Sequence, residues 1–435
     1  MSNASIGYPP GPAASESRKL LLSFRRDTLR FWCDLHDTYG DFVQFTLGGS
    51  HMYSLRDPQL IREVLVDKNA IMRRTDYTWD TLGRFLGEGL AVSHGEVHRR
   101  RRSIIQPLFT PAWIDGYTNE IWECTQELMA SWQHNDIRNI SDDMHHLTLN
   151  IIYRTIFGTE TGELEGQIKN AVAVIQAASA QRMQTGTIQT DESVLQQTLQ
   201  TLNDAIDDLV SRSQEKGRKT LLSLLAESTA DSSSTLTATE IREEVLTFFM
   251  AGQETSANAL AWAWHLLGSH PTVQTKLQNE IRDVVQEQPL APERFAQMPY
   301  LESVLKETLR IFPPAWIIGR CALEPVEIGG YTIEPNEPIN ICIYALHRNT
   351  KVFPDPEAFI PERFVTEPPR YSYLPFGAGA HICIGQPLAM LEMGIALISM
   401  LQAWDIRPVA GTLVTPEAMM TLRPAPNVLA EVVRR

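Results

Sequence analysis

Four groups of residues in this chain combine types and spacing that could do chemistry. The first is FGAGAHICIG, Phe376 to Gly385, where Cys383 sits among Gly377, Gly379 and Gly385 with His381 two residues before it. Glycine permits positive φ and close backbone approach, so this loop is shaped to lie against something bulky. A thiolate just ahead of a helix is favoured by the helix N-terminal partial charge and by backbone N–H donors. Three readings follow: a nucleophile with His381 as its base, a metal ligand, or an inert cysteine in a turn. The second group is AGQETSA, Ala251 to Ala257, inside a mostly apolar helical stretch. Glycine at Gly252 costs about 1 kcal/mol against alanine in mid-helix and predicts a locally opened turn. Glu254 is costly in such surroundings without a partner or a task. Thr255 has a simpler alternative, a bond back to the carbonyl of Ala251. In KETLRIFPP, Glu307 and Arg310 are three apart on one helix face and so able to pair. In GEVHRRRRSII, His98 and Arg102 are four apart and share a face, while the run of arginines spreads around the helix.

The elements that must position these groups are mainly helical. DFVQFTLGGSHMYSL reads as two strands joined by Gly48-Gly49, which suits a two-residue hairpin. Asp57-Pro58 reads as an N-cap and first helical residue. From Pro58 to Thr239 apolar residues recur mostly at helical spacing, and AESTADSSSTLTAT, Ala226 to Thr239, reads as an exposed loop. A helix of about 45 Å is expected from Glu240 to His270, stopped by Pro271. Short strands return at VEIGGYTI and PINICIY, and a last helix is expected over roughly 385–404. No internal repeat or domain boundary is visible, so residues 21–435 read as one domain after a mobile tail at 1–20.

The 435 residues carry a formal charge of −14 and five cysteines without CxxC pairs. The charge disfavours nucleic acid or an anionic membrane as the main partner, since both need a basic surface, and any basic patch on this background stands out. The odd, unpaired cysteines argue against a disulfide framework or structural zinc, and four of them, Cys33, Cys124, Cys321 and Cys342, read as small buried hydrophobes. No run of about 20 apolar residues encodes a transmembrane anchor, and MSNASIGYPPGPAASESRKL lacks a signal-peptide pattern. A cytoplasmic monomer is the expectation.

Phe376, Gly377, Gly379, His381, Cys383 and Gly385 resemble the haem-binding signature of the cytochrome P-450 family, FxxGxRxCxG, with histidine in place of arginine. The resemblance extends from Phe42 to MTLRPAP. It implies a mainly α fold, a helical bundle around haem b with small β-sheets near the N-terminus and in the C-terminal part. It implies Cys383 as axial thiolate of the iron, Phe376 packed beside the sulfur, and His98, Arg102, Arg320 and His381 as partners of the haem propionates. KETLR resembles the family's ExxR motif, so Glu307, Arg310 and Arg363 of PERF are expected in a buried structural network. AGQET resembles the AGxxT oxygen-activation motif, with Thr255 ordering dioxygen and water and Glu254 feeding protons.

The implied activity is that of a monooxygenase using dioxygen to hydroxylate or epoxidise a hydrophobic small molecule such as a fatty acid, terpenoid or steroid. Electrons would come from NAD(P)H through a reductase and a ferredoxin or flavodoxin, docking near Arg99, Arg100 and Arg101. Segments that by resemblance line the substrate pocket hold Trp79, Leu82, Phe85 and Leu86, then Phe248 and Ala251, then Ala315, Trp316 and Ile317, and finally Met419 and Met420. Arg84 is a candidate anchor for a substrate carboxylate. A peroxygenase, a redox-neutral isomerase or dehydratase, and a non-catalytic haem-thiolate sensor are the alternatives.

Overall fold

The structure is a computed structural model that describes residues 7–158, 163–185, 188–215, 222, 225, 236–285 and 292–435. The chain forms two compact units, Met1–Trp79 with Leu309–Cys383, and Asp80–Thr308 with Ile384–Arg435. The first unit opens with α1 (Ser17–Arg26) and α2 (Thr28–Tyr39), followed by the hairpin β1 (Phe42–Leu47) and β2 (Ser50–Leu55). Gly48 and Gly49 both take positive φ at its tip, 59° and 89°, so the dipeptide makes the expected turn. Asp57 caps α3 (Pro58–Arg62), its carboxylate accepting from the N–H groups of Gln59 and Leu60.

The hairpin joins β3 (Met72–Arg73) and two later strands, Ile317–Ala322 and Pro338–Cys342, in a five-stranded sheet. Strand Pro338–Cys342 pairs in parallel with β2 and antiparallel with Ile317–Ala322. Tyr53, Leu55, Ile339 and Ile341 are buried in one apolar cluster on this sheet. The tail expected over 1–20 is tied down from Pro10 onward: the Gln44 N–H donates to the Pro10 carbonyl at 3.1 Å. Gly11 permits this approach, since a Cβ there would fall 1.8 Å from the Gln44 carbonyl oxygen.

The second unit is built on the helix Ala238–Ser269, two residues longer at its start than the pattern suggested. Thr237 and Glu240 form a reciprocal capping box that fixes its first turn. Of the expected loop at 226–239, residues 226–235 lie outside the described residues. The long helix packs on Ile140–Ile152 and on a core that includes Phe85, Leu86, Ile152, Phe248 and Phe249. Two small sheets, Asp136–Asn139 with Leu429–Arg434 and Trp404–Pro408, and Thr415–Ala418 with Leu422–Ala425, complete the unit. The last helix, Gln386–Ala403, is apolar and long enough to cross a membrane, yet most of it is buried inside the protein, which marks it as a core helix.

Candidate functional site

In the first unit the cysteine loop is shaped by hydrogen bonds and glycine. The Cys383 N–H donates to the Phe376 carbonyl at 2.9 Å, closing a turn that leaves Cys383 exposed. Gly377 and Gly379 both lie at φ +72°, and a Cβ on Gly379 would sit 2.0 Å from the Leu65 carbonyl oxygen. His381 ends a short turn, Gly379–His381, and is half-buried; Phe376 is half-buried too. Cys124, Cys321 and Cys342 are buried as expected, while Cys33 is half-buried; desolvation pushes the thiols of Cys33 and Cys321 up to about 11 and that of Cys124 up to about 12.

Behind the loop stands a residue that sequence reasoning missed. The Leu374 N–H donates to His347 Nε2 at 2.8 Å, so that nitrogen holds a lone pair and the ring proton is on Nδ1, which donates to the Arg310 carbonyl at 3.2 Å. Burial, then the charge of Arg310, lowers His347 to about 3. Arg310 is fully buried and donates to the carbonyls of His347, Pro356 and Ala358. Arg363 is half-buried and donates to the Asp355 carbonyl at 2.7 Å. Glu307 is fully buried and shares a helix face with Arg310.

Two cations of this unit, buried Arg320 and half-buried Arg74, offer a test of whether haem fits. Arg320 is buried, its Nη1 donates to the adjacent Gly319 carbonyl, and among the described residues its Nε has no partner. Burial first, and then the neighbouring charge of Arg74, hold its guanidinium well below the usual value. Arg74 is itself lowered to about 10 by burial, and among the described residues its Nε also lacks a partner. Among the described residues no carboxylate faces these two neighbouring guanidiniums, an unfavourable arrangement that a dianionic ligand edge relieves. The residues therefore fit the propionates of haem. Arg74 was not foreseen, because adjacent Arg73, which pairs with Asp76, is indistinguishable from it in sequence.

In the second unit, His98 is buried and Arg102 half-buried on the helix Gly95–Ile105, with Arg102 Nε donating to Gln106. Arg101 corrects the expected docking patch. It is 2% exposed, bound to Glu243 at 2.6 Å and to Glu244 at 2.9 Å, and so cannot meet a partner. Arg100 pairs with Glu240 and Arg99 with Glu96. Arg84 is likewise no carboxylate anchor in this structure, since it binds Glu192 through Nη2 on the surface.

The long helix is buried on either side of Ala251–Thr255, and these five residues retain accessible surface. No opened turn appears there. The helix is continuous through Gly252, where a Cβ would lie 3.0 Å from Ile152 Cδ1, and the Gln253 carbonyl accepts from Thr148 at 3.0 Å. Thr255 takes the back-bonded alternative, its hydroxyl donating to the Ala251 carbonyl at 2.6 Å. Glu254 is clamped: Thr421 Oγ1 donates to Oε1 at 2.6 Å and Gln176 Nε2 to Oε2 at 3.1 Å. Asn258 donates in turn to Thr421 at 2.9 Å, so the Thr421 proton is directed at the carboxylate. One residue on, Ser256 donates to the buried Glu392, whose carboxyl burial pushes up to about 8.

The pocket candidates divide. Leu82, Phe85, Leu86, Phe248 and Met420 belong to one apolar cluster of the second unit, with Phe109 5.7 Å from Phe248. Met419 is buried and Ala251 exposed. In the first unit Trp316 is buried, Ile317 half-buried and Ala315 exposed, and Trp79 is 42% exposed. Gly385 caps the last helix through its backbone.

The family profile described as Cytochrome P-450 matches residues 9–431. Cyclooctat-9-en-7-ol 5-monooxygenase of Streptomyces melanosporofaciens is 32% identical, over 89% of this chain and 87% of that protein. Cyclooctatin synthase of the same organism is 32% identical, over 96% and 93%. Pentalenene oxygenase of Streptomyces avermitilis is 27% identical, over 88% and 90%. Haem iron and dioxygen come with the family. The chain belongs to the cytochrome P-450 family and is a cytochrome P-450 monooxygenase.

Proposed function

We propose that this enzyme hydroxylates a terpenoid, taking electrons from NAD(P)H through a separate reductase and a ferredoxin or flavodoxin. The similarity to enzymes named for cyclooctat-9-en-7-ol, cyclooctatin and pentalenene supports the substrate class. Apolar candidates around Phe85 and Phe248 suit such a hydrophobe. Thiolate-ligated haem supplies dioxygen activation and C–H oxidation when bound.

In this reading Cys383 is the thiolate ligand, held by the turn to Phe376, and Arg74, Arg320 and His381 of the same unit hold propionate carboxylates. Glu254 delivers protons from its carboxyl, and the Thr255 hydroxyl, now on the Ala251 carbonyl, turns to order the oxygen end of the substrate pair. Thr421 and Gln176 position Glu254. The observation that carries this reading is the Glu254 clamp beside Thr255, in an accessible stretch between two buried runs of the long helix. A sensor has no need of a clamped carboxyl there.

The test is turnover of terpene alcohols and hydrocarbons under isotopically heavy dioxygen, with ferredoxin, reductase and NADPH. One heavy oxygen per product is expected, with none formed without reductant. Product formed without reductant would overturn it in favour of redox-neutral chemistry, and product formed only with peroxide in favour of a peroxygenase.

A further inference from the structure

Helix α1 reads SRKLLLSFRR, with four cations and no acid in ten residues. At about 100° per residue, Leu20, Leu21 and Phe24 fall on one side of it. These three are half-buried, and Phe24 meets Phe31 of α2 edge-on at 5.5 Å, which seats the helix on its unit. On the opposite side Leu22 is 62% exposed. Arg18, Lys19, Arg25 and Arg26 stand four and three residues before it and three and four after it, so all four surround it, and all four are exposed. Among the described residues none of these cations has an ion pair, whereas the next cation along, Arg30, pairs with Asp34.

We propose that this face docks on an anionic lipid surface. Four unpaired cations on a chain of charge −14 form a local patch of the opposite sign. At physiological salt, charges beyond about 8 Å are largely screened, so a surface touching α1 senses these four cations and the two flanking acids, Glu16 and Asp27, a local excess of positive charge, rather than the acidic remainder. The face is a convex helix side with a single leucine at its centre. Leucine is scarce among the anchors of protein interfaces, but one apolar side chain framed by Lys and Arg suits a headgroup layer, where the cations stay at the phosphates.

The test is co-sedimentation of the full-length holoenzyme with vesicles. Binding to phosphatidylglycerol-containing vesicles, weak or absent on phosphatidylcholine and lost in high salt, is expected. Each cation removed should weaken it about fivefold, so R18Q/K19Q and R25Q/R26Q should each weaken it about 25-fold, with R18K/R25K/R26K retaining it. L22A should weaken it less. These are exposed positions, and an unchanged far-ultraviolet circular dichroism spectrum of each variant identifies a retained fold. No sedimentation with anionic vesicles at low salt, equal binding to neutral vesicles, or binding that the glutamine variants leave intact would overturn the proposal. So would glutamine variants that slow reduction by an acidic ferredoxin without altering vesicle binding, since the patch would then serve a protein.

Discussion

At the scale of single residues, the Glu254 carboxyl gathers donors from places far apart in the chain. Gln176 is 78 positions away and Thr421 is 167, so no local pattern could have joined them, although the cost of a carboxylate in an apolar helix already marked Glu254 itself. Replacing Glu254 with Gln should lower turnover by roughly a hundredfold with the substrate dissociation constant unchanged, measured by product rate and by optical titration. Thr421→Val removes the directed proton donor and keeps the shape. It should divert reducing equivalents from product to peroxide, read as the ratio of product to NADPH consumed, while Thr421→Ser restores the ratio. Arg74 and His347 were equally hidden. A second arginine beside Arg73, and a histidine in YALHRN, become meaningful only once burial and partners are known.

Elements were more legible than their contacts. The Gly48-Gly49 turn, the Asp57 cap and the long helix follow from local rules that depend on a few neighbouring residues. The face each helix turns inward was legible only in part: the four arginines at 99–102 left open which of them is buried, and the structure selects Arg101. Two glycines of the motifs likewise differ in kind. Gly379 has positive φ and faces a backbone carbonyl, so Gly379→Ala must displace the cysteine loop, at a cost of about 1–3 kcal/mol, and should lower the haem retained per chain after gel filtration. Gly252→Ala meets only the end of the Ile152 side chain and gains about 1 kcal/mol of helix propensity, so the melting temperature should stay nearly unchanged.

At the scale of the whole molecule, three buried titratable groups shape stability against pH. His36, bonded to Gly40 and Ser54, is lowered by burial to about 4, and His347 to about 3. Both must stay neutral when folded, so their contribution is complete above the unfolded value of 6.5 and is lost as pH falls below it; for His36 the loss amounts to about 3 kcal/mol by pH 4. Glu392 has the opposite sign, because its folded value of about 8 lies above the unfolded 4.5, and its contribution is lost as pH rises across that window. Taken together, these groups put maximal stability near pH 6.5, measurable by urea unfolding at a series of pH values. Glu392→Gln should flatten the fall on the alkaline side, and His36→Gln should reduce the fall on the acid side. One further consequence concerns recombination. Arg101 binds Glu243 and Glu244 across some 140 positions, and those carboxylates also crowd Gly87 and receive the Leu90 N–H. A chimera with a relative that crosses over between residues 105 and 238 separates the cation from its two acids. Segments 87–105 and 238–244 are thus a single heritable block, to be exchanged together or not at all.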